Sequence, residues 1–322
     1  MLSILSITIP IYLLIAVGYF AVRQGVFERI DMRLFGKLVM NFCLPALLFR
    51  SLAQRPLSEI FNGTYLVAYT LGSLLAFWVG RTVARRWLAK SRQHSALLGL
   101  GMAASNTGFI GYPIILQLLG PAAAVPLALT MVVENIFVLP LAITLIDHDH
   151  TAPASRRAAI RAVFARLIRN PIVMAIPLGA AFAWTQWQLP EPVSKAIGLL
   201  AGASSPIALF VIGGSLVGLQ VRGMVSEILM VAYGKLIGHP LAVLAVVLVL
   251  PELDPVMRVT AVAVAAMPML SIYPVLAQKQ QQEGFCAAVL LVGTLSSFVT
   301  ISVVLWALHL VPGWAPALGG AH

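Results

Sequence analysis

Charge is the scarcest thing in this chain. Of its 322 residues only 10% are charged, where a soluble domain carries roughly 25%, and 60% are hydrophobic. A soluble fold is excluded by that ratio. Cysteine is nearly absent too: Cys43 and Cys286 both lie in apolar runs, so neither a disulfide framework nor a four-ligand zinc pattern exists. Loop sequence is equally short. The apolar content suffices for close to ten bilayer-crossing helices at roughly 20 residues each, which leaves no room for a separate soluble catalytic or nucleic-acid-binding domain. The expectation is an all-α polytopic membrane protein whose function lies among its helices, without cofactor or metal and with the lipid bilayer as its surroundings.

What the chain does have falls into ten apolar runs, near 3–22, 34–53, 63–82, 95–119, 122–146, 171–189, 196–218, 227–250, 257–277 and 285–310. The first run lacks a basic leader region and a small-residue cleavage site and is expected to be a span. The net charge of +10 is orientation, not a polyanion site: fifteen Lys and Arg fall in loops after odd-numbered runs, against Arg50, Arg55, Lys195 and Arg258 on the opposite side. This asymmetry places both termini outside the inner (plasma) membrane.

Shifting the chain by 161 residues superposes Pro10-Ile11 on Pro171-Ile172, Gly18 on Gly179, Pro45 and Leu48-Phe49 on Pro206 and Leu209-Phe210, and Tyr112-Pro113 on Tyr273-Pro274. Five spans per copy is an odd number, so the second copy enters from the opposite face. Residues 1–150 and 171–322 are thus expected to be two inverted five-helix repeats joined by a basic cytoplasmic linker, 151–170, a transporter architecture.

Helix breakers inside a bilayer need protein or water around them. They are paired here. Ser105-Asn106-Thr107-Gly108 through Tyr112-Pro113 breaks the fourth run, and Pro268 through Ser271, Tyr273 and Pro274 breaks the ninth. Half-helix N-termini offer positive dipole ends to an anion and unwound carbonyls offer acceptors to a cation, so Asn106, Thr107, Gly108, Tyr112, Pro113, Pro268, Ser271, Tyr273 and Pro274 are the candidate substrate residues. The competing reading is that such residues merely kink helices for packing.

The Asn-Thr-x-x-x-Gly-x-Pro run at 106–113, Leu44-Pro45-Ala46-Leu47-Leu48-Phe49, Lys235-Leu236 with Pro240, and Met267-Pro268 with Ala277 resemble the auxin efflux carrier family over essentially the whole chain. That family includes plant auxin carriers and bacterial permeases, some described as malonate transporters, and its fold is similar to that of sodium/proton antiporters and bile-acid symporters. The resemblance implies a scaffold of spans one, two, six and seven, a mobile transport body of spans three to five and eight to ten with the fourth and ninth crossing at their prolines, and a homodimer. It places Asn106 at the family's crossover asparagine and Pro113 and Pro268 at its crossover prolines; Tyr273-Pro274 departs from the plant spacing.

Among eleven acidic residues only Glu134 sits near the middle of a run, which makes it the candidate for proton coupling, against a hydrogen-bonded packing role. Lys235, several residues into the eighth run, could attract a substrate carboxylate, pair with Glu134, snorkel, or bond a carbonyl at a broken helix. Asn41 and Asn135 are expected to bond freed carbonyls, and His239 to be a packing histidine rather than a proton relay. Asp147-His148-Asp149-His150 reads as a solvated run rather than a metal site, and the basic stretch 156–169 as topological, with lipid contact the alternative. The function expected is a secondary transporter or facilitator for a small organic anion, a carboxylate such as malonate or an auxin-like acid. The rivals are a membrane substrate sensor without transport and an intramembrane enzyme, for which one Glu and scattered His form a poor constellation.

Overall fold

Proline decides where these helices bend. The computed structural model describes residues 2–55, 60–146, 161, 165, 168–219, 225–251, 253–311 and 313–314, with side chains from Ile9 onward. The Asp147–His150 run, most of the linker 151–170, Arg222 and the last eight residues lie outside it. Every described element is helical apart from one isolated bridge between two extended residues.

In chain order the helices are α1 (Leu2–Arg23), α2 (Arg29–Leu38), α3 (Leu44–Ala53), α4 (Gly63–Arg86), α5 (Arg92–Ala103), α6 (Tyr112–Leu119), α7 (Ala124–Val133) and α8 (Leu139–Ile146). Then come α9 (Pro171–Thr185), α10 (Glu191–Leu216), α11 (Val225–Tyr233), α12 (His239–Val249), α13 (Pro255–Ala265), α14 (Tyr273–Leu276) and α15 (Glu283–His309). Four five-residue turns of π type join or open these pieces: Val39–Cys43, Thr107–Gly111, Glu134–Val138 and Gly234–Gly238. Each is followed, two residues past its end, by a proline: Pro45, Pro113, Pro140 and Pro240. The pyrrolidine ring would collide with the carbonyl four residues back and offers it no N–H; widening the turn moves that carbonyl aside. The widened turns also carry Asn41, Thr107, Glu134, Asn135 and Lys235, so these five polar residues sit where the helical ladder is already loosened.

Six helical stretches among the described residues are long and apolar enough to cross a membrane: Arg29–Ala53, Gly63–Arg86, Thr107–Ile146, Glu191–Leu216, Val225–Val249 and Glu283–His309. Ile9–Arg23, Pro171–Thr185 and Pro255–Ala265 are shorter apolar helices. The chain is an all-helical, multi-pass membrane protein. Within Thr107–Ile146 the path reverses at Gly120, whose φ of +64° ends α6 in a conformation that glycine adopts without steric cost.

The packing is reciprocal at the 161-residue offset. Helix α1 packs on α10, and α9 packs on α3. Gly18 of α1 lies against the Phe210 carbonyl so closely that a Cβ there would overlap it, and a Cβ on Gly179 would come 3.2 Å from the Phe49 carbonyl and 2.9 Å from Leu52 Cβ. Helix α4 packs against both α5 and α12, which brings the middle of the chain's two halves together.

Substituting Gly18→Leu is expected to cost the protein its monodisperse profile in detergent, because overpacking against backbone costs about 1–3 kcal/mol or more. Gly238→Ala, where an added Cβ meets nothing within 4 Å, is expected to leave profile and Tm unchanged. Size-exclusion chromatography and thermal unfolding of the two variants decide this.

Candidate substrate site

Where α5 ends at Ala103 the chain runs extended through 104–106, and where α13 ends at Ala265 it stays non-helical to 272. The two breaks meet. Ser105 and Met269 form an antiparallel bridge, and the Asn106 N–H donates to the Pro268 carbonyl at 2.8 Å. Asn106 then closes the crossing with its side chain: Nδ2 donates to Ser271 Oγ at 2.7 Å, and Oδ1 accepts from the Phe109 N–H at 3.2 Å, capping the turn that leads into α6. Its carbonyl takes the Ile110 and Gly111 N–H groups at 3.2 and 2.9 Å.

Glu134, 6% exposed, reaches the crossing from the widened turn between α7 and α8. Its carboxylate accepts from the Ser105 N–H at 2.9 Å and the Thr107 hydroxyl at 2.8 Å, with the Tyr69 hydroxyl at 3.5 Å. This acid therefore organises the backbone of the fourth-span break rather than projecting alone into apolar space. Tyr69 stacks on Tyr65, whose hydroxyl pairs with Thr130 at 2.7 Å, so the aromatic support is itself hydrogen-bonded.

A cavity of about 120 Å³ opens at the crossing. The breaks contribute Ser105, Asn106, Thr107, Gly108, Leu270, Ser271 and Ile272; α7, the turn after it and α8 contribute Met131, Glu134, Asn135 and Leu139; Met40 closes it from the Val39–Cys43 turn, and Asn170 and Ile172 from the start of α9. Asn170 Nδ2 donates to Asn135 Oδ1 at 3.2 Å across that boundary, while Asn170 Oδ1 caps the start of α9. No lysine or arginine lines this cavity. A larger cleft, about 660 Å³, lies at the ends of α3 and α9 and the start of α10, beside Arg50 and Trp187. It touches none of the freed backbone, so size does not make it the site.

Of the residues singled out from sequence, Asn106, Thr107, Gly108, Ser271 and Glu134 come together around the cavity. Asn135 also lines it; Tyr112, Pro113, Pro268, Tyr273, Pro274 and Lys235 do not. Tyr112 turns its hydroxyl to Ser51 at 3.4 Å and Tyr273 to the Leu97 carbonyl at 3.1 Å, both inside helix packing. Pro113 and Pro268 shape the backbone behind the wall, and Pro274 lines a separate cleft with Arg29 and Arg33. Lys235 is fully buried behind Ser105, with no direct ion pair to Glu134 among the described residues; its ammonium donates to the Ala265 carbonyl at 2.6 Å. Asn41 and Asn135 each donate to a carbonyl four residues back, Lys37 and Met131, as expected of residues at loosened turns. No cluster of metal-ligating side chains occurs among the described residues. Asn170 was missed: the Asn-Pro pair at 170–171 marks a helix start but nothing in sequence says which cavity that start faces.

The geometry defines a small polar cavity where two interrupted helices cross. The family described as membrane transport protein matches residues 3–305, and the chain belongs to it, the auxin efflux carrier family of the resemblance above. A protein of Rhizobium meliloti named "Putative malonate transporter" is 26% identical over 313 residues, covering 95% of this chain and 96% of its own. The uncharacterized transporter YfdV of Escherichia coli K12 is 26% identical over 244 residues, 74% of this chain and 76% of its own. An uncharacterized transporter of Methanothermobacter thermautotrophicus is 26% identical over 314 residues, 96% and 97% of the two chains.

Thr107→Val is expected to cost about 1–3 kcal/mol in thermal stability, because it strips a donor from a buried carboxylate. Thr144→Val, whose hydroxyl bonds only the Pro140 carbonyl of its own exposed turn, is expected to cost nearly nothing. Paired unfolding curves in detergent check the contrast.

Proposed function

We propose that the protein is a secondary transporter or facilitator of a small organic anion that works by alternating access. The carrying observation is the composition of the cavity wall: Met40, Asn170 and Ile172 come from spans two and six, and the remaining lining from spans four, five and nine. A movement of spans three to five and eight to ten against spans one, two, six and seven would open this cavity to one side and then the other. The reciprocal contacts of Gly18 with Phe210 and Gly179 with Phe49 support two inverted repeats, 1–150 and 171–322, about the 151–170 linker. Residence in the inner membrane with both termini outside follows from the loop charge asymmetry, and a homodimer through the scaffold from the family resemblance.

In this reading a substrate carboxylate meets the widened turn Thr107–Gly111 that opens the α6 half-helix, at the positive end of its dipole, and Asn106 orients it. Glu134 takes the coupling proton. A proton on this carboxylate weakens the bonds to the Ser105 N–H and the Thr107 hydroxyl, the two groups that flank Asn106, so proton and substrate act on one stretch of backbone. Malonate enters as first substrate through the name of the Rhizobium relative.

Uptake of labelled malonate, other short carboxylates and indole-acetate into proteoliposomes, with and without a pH gradient, tests this. Saturable uptake of one of them is expected, falling about tenfold or more in Asn106→Ala with folding intact. Glu134→Gln is expected to lose the acceleration by the pH gradient. Full affinity in purified Asn106→Ala, or unsaturable flux, contradicts the reading.

A further inference from the structure

Among the described residues the most deeply buried charge lies outside the cavity and has no part in the reading above. Lys235 is 0% exposed at the widened turn between α11 and α12, beyond reach of water or headgroups for its amine. An ammonium has three protons, and each has a partner: the Ala265 carbonyl at 2.6 Å, Ser105 Oγ at 3.0 Å and His239 Nδ1 at 3.0 Å. Accepting at Nδ1 leaves His239 Nε2 to donate to Ser73 Oγ at 2.9 Å, so the imidazole is neutral and its tautomer set.

The partners say what the charge is for. Ala265 is the last residue of α13, and its carbonyl lies at the negative end of that half-helix. Ser105 belongs to the other break, and its N–H is bonded to Glu134. Lys235 thus joins the carbonyl end of one broken span to the extended turn of the other and stands one residue from the carboxylate. A half-helix carbonyl, a hydroxyl and a nearby carboxylate are the donor set with which a crossing of broken helices holds a bound cation. Here the side chain fills that place.

We propose that the Lys235 ammonium is a resident cation, built into the chain at the helix crossing, which balances Glu134 through Ser105 and makes a bound sodium or potassium ion unnecessary. The proposal rests on the transporter reading only for its consequence in the cycle; the structural claim stands without a substrate.

Thermal unfolding of the purified protein without substrate tests it. At equal ionic strength in sodium, potassium or choline chloride the wild type is expected to show one Tm. Lys235→Ala is expected to fall by roughly 10 °C and to recover saturably with n-propylammonium, which replaces the missing atoms, or with sodium, but not with choline. Lys235→Met fills the space without charge, and is expected to lose as much and to show no rescue. Adding Glu134→Gln to Lys235→Met is expected to restore part of the loss, because an uncompensated carboxylate has gone with its partner. Sodium stabilisation of the wild type, a Lys235→Met protein as stable as wild type, or a double variant no better than Lys235→Met would overturn the proposal. Should the Lys235 single variants not fold, the double variant still decides. Absence of uptake with this Tm pattern intact would count against the transporter reading alone.

Discussion

One backbone hydrogen bond, from the Asn106 N–H to the Pro268 carbonyl at 2.8 Å, is the constraint around which the rest is arranged. An amide or carbonyl freed at mid-bilayer costs several kcal/mol unless it finds a partner, and each broken span frees several. Neither break would be tolerable alone. Crossing them lets each supply what the other lacks: the Ser105–Met269 bridge satisfies backbone, Asn106 reaches Ser271, Glu134 takes the Ser105 N–H, and Lys235 takes the Ala265 carbonyl. The site is therefore not carved into a finished bundle. It is the place where two interrupted helices settle their unpaired groups, and a small cavity remains where Asn106, Ser271 and Glu134 are left facing it.

The same economy explains why the polar residues cluster at widened turns. A proline two residues past Cys43, Gly111, Val138 and Gly238 loosens each ladder locally, and Asn41 and Asn135 stand in two of those turns, each donating to a carbonyl of the helix before it, Lys37 and Met131. Unbroken helices at 104–106 and 266–272 would deny Glu134 the Ser105 N–H and Lys235 the Ala265 carbonyl.

Much of this was legible in the residues themselves. Paired Gly and Pro at equal places in the two halves marked the breaks, and a single mid-span acid among eleven marked Glu134, because both are expensive in a bilayer unless they serve something. Gly18 and Gly179, which the repeat offset pairs, pack on Phe210 and Phe49, which it also pairs. Direction was not legible. Depth along a helix placed Lys235 several residues inside a span, but whether its amine faced the cavity or the back of the wall depended on how α11 and α12 are rotated against α13. Tyr112 and Tyr273 share a Tyr-Pro motif, yet one hydroxyl bonds Ser51 and the other the Leu97 carbonyl, since the neighbours differ although the repeat does not. Asn170 reached the wall only through the docking of α9, a tertiary fact.

The central claim is that the cavity at the crossing takes the substrate. Both native cysteines are buried, so a cysteine placed at half-exposed Ile272, on the cavity wall, gives a clean signal with a membrane-impermeant maleimide. Labelling of Ile272→Cys in proteoliposomes, with malonate and the other short carboxylates added in turn, measures occupancy directly. The account predicts that the thiol labels, and that the carboxylate taken up slows labelling saturably at the concentration that half-saturates uptake. Labelling at one unchanged rate in the presence of the very anion the protein transports would contradict it.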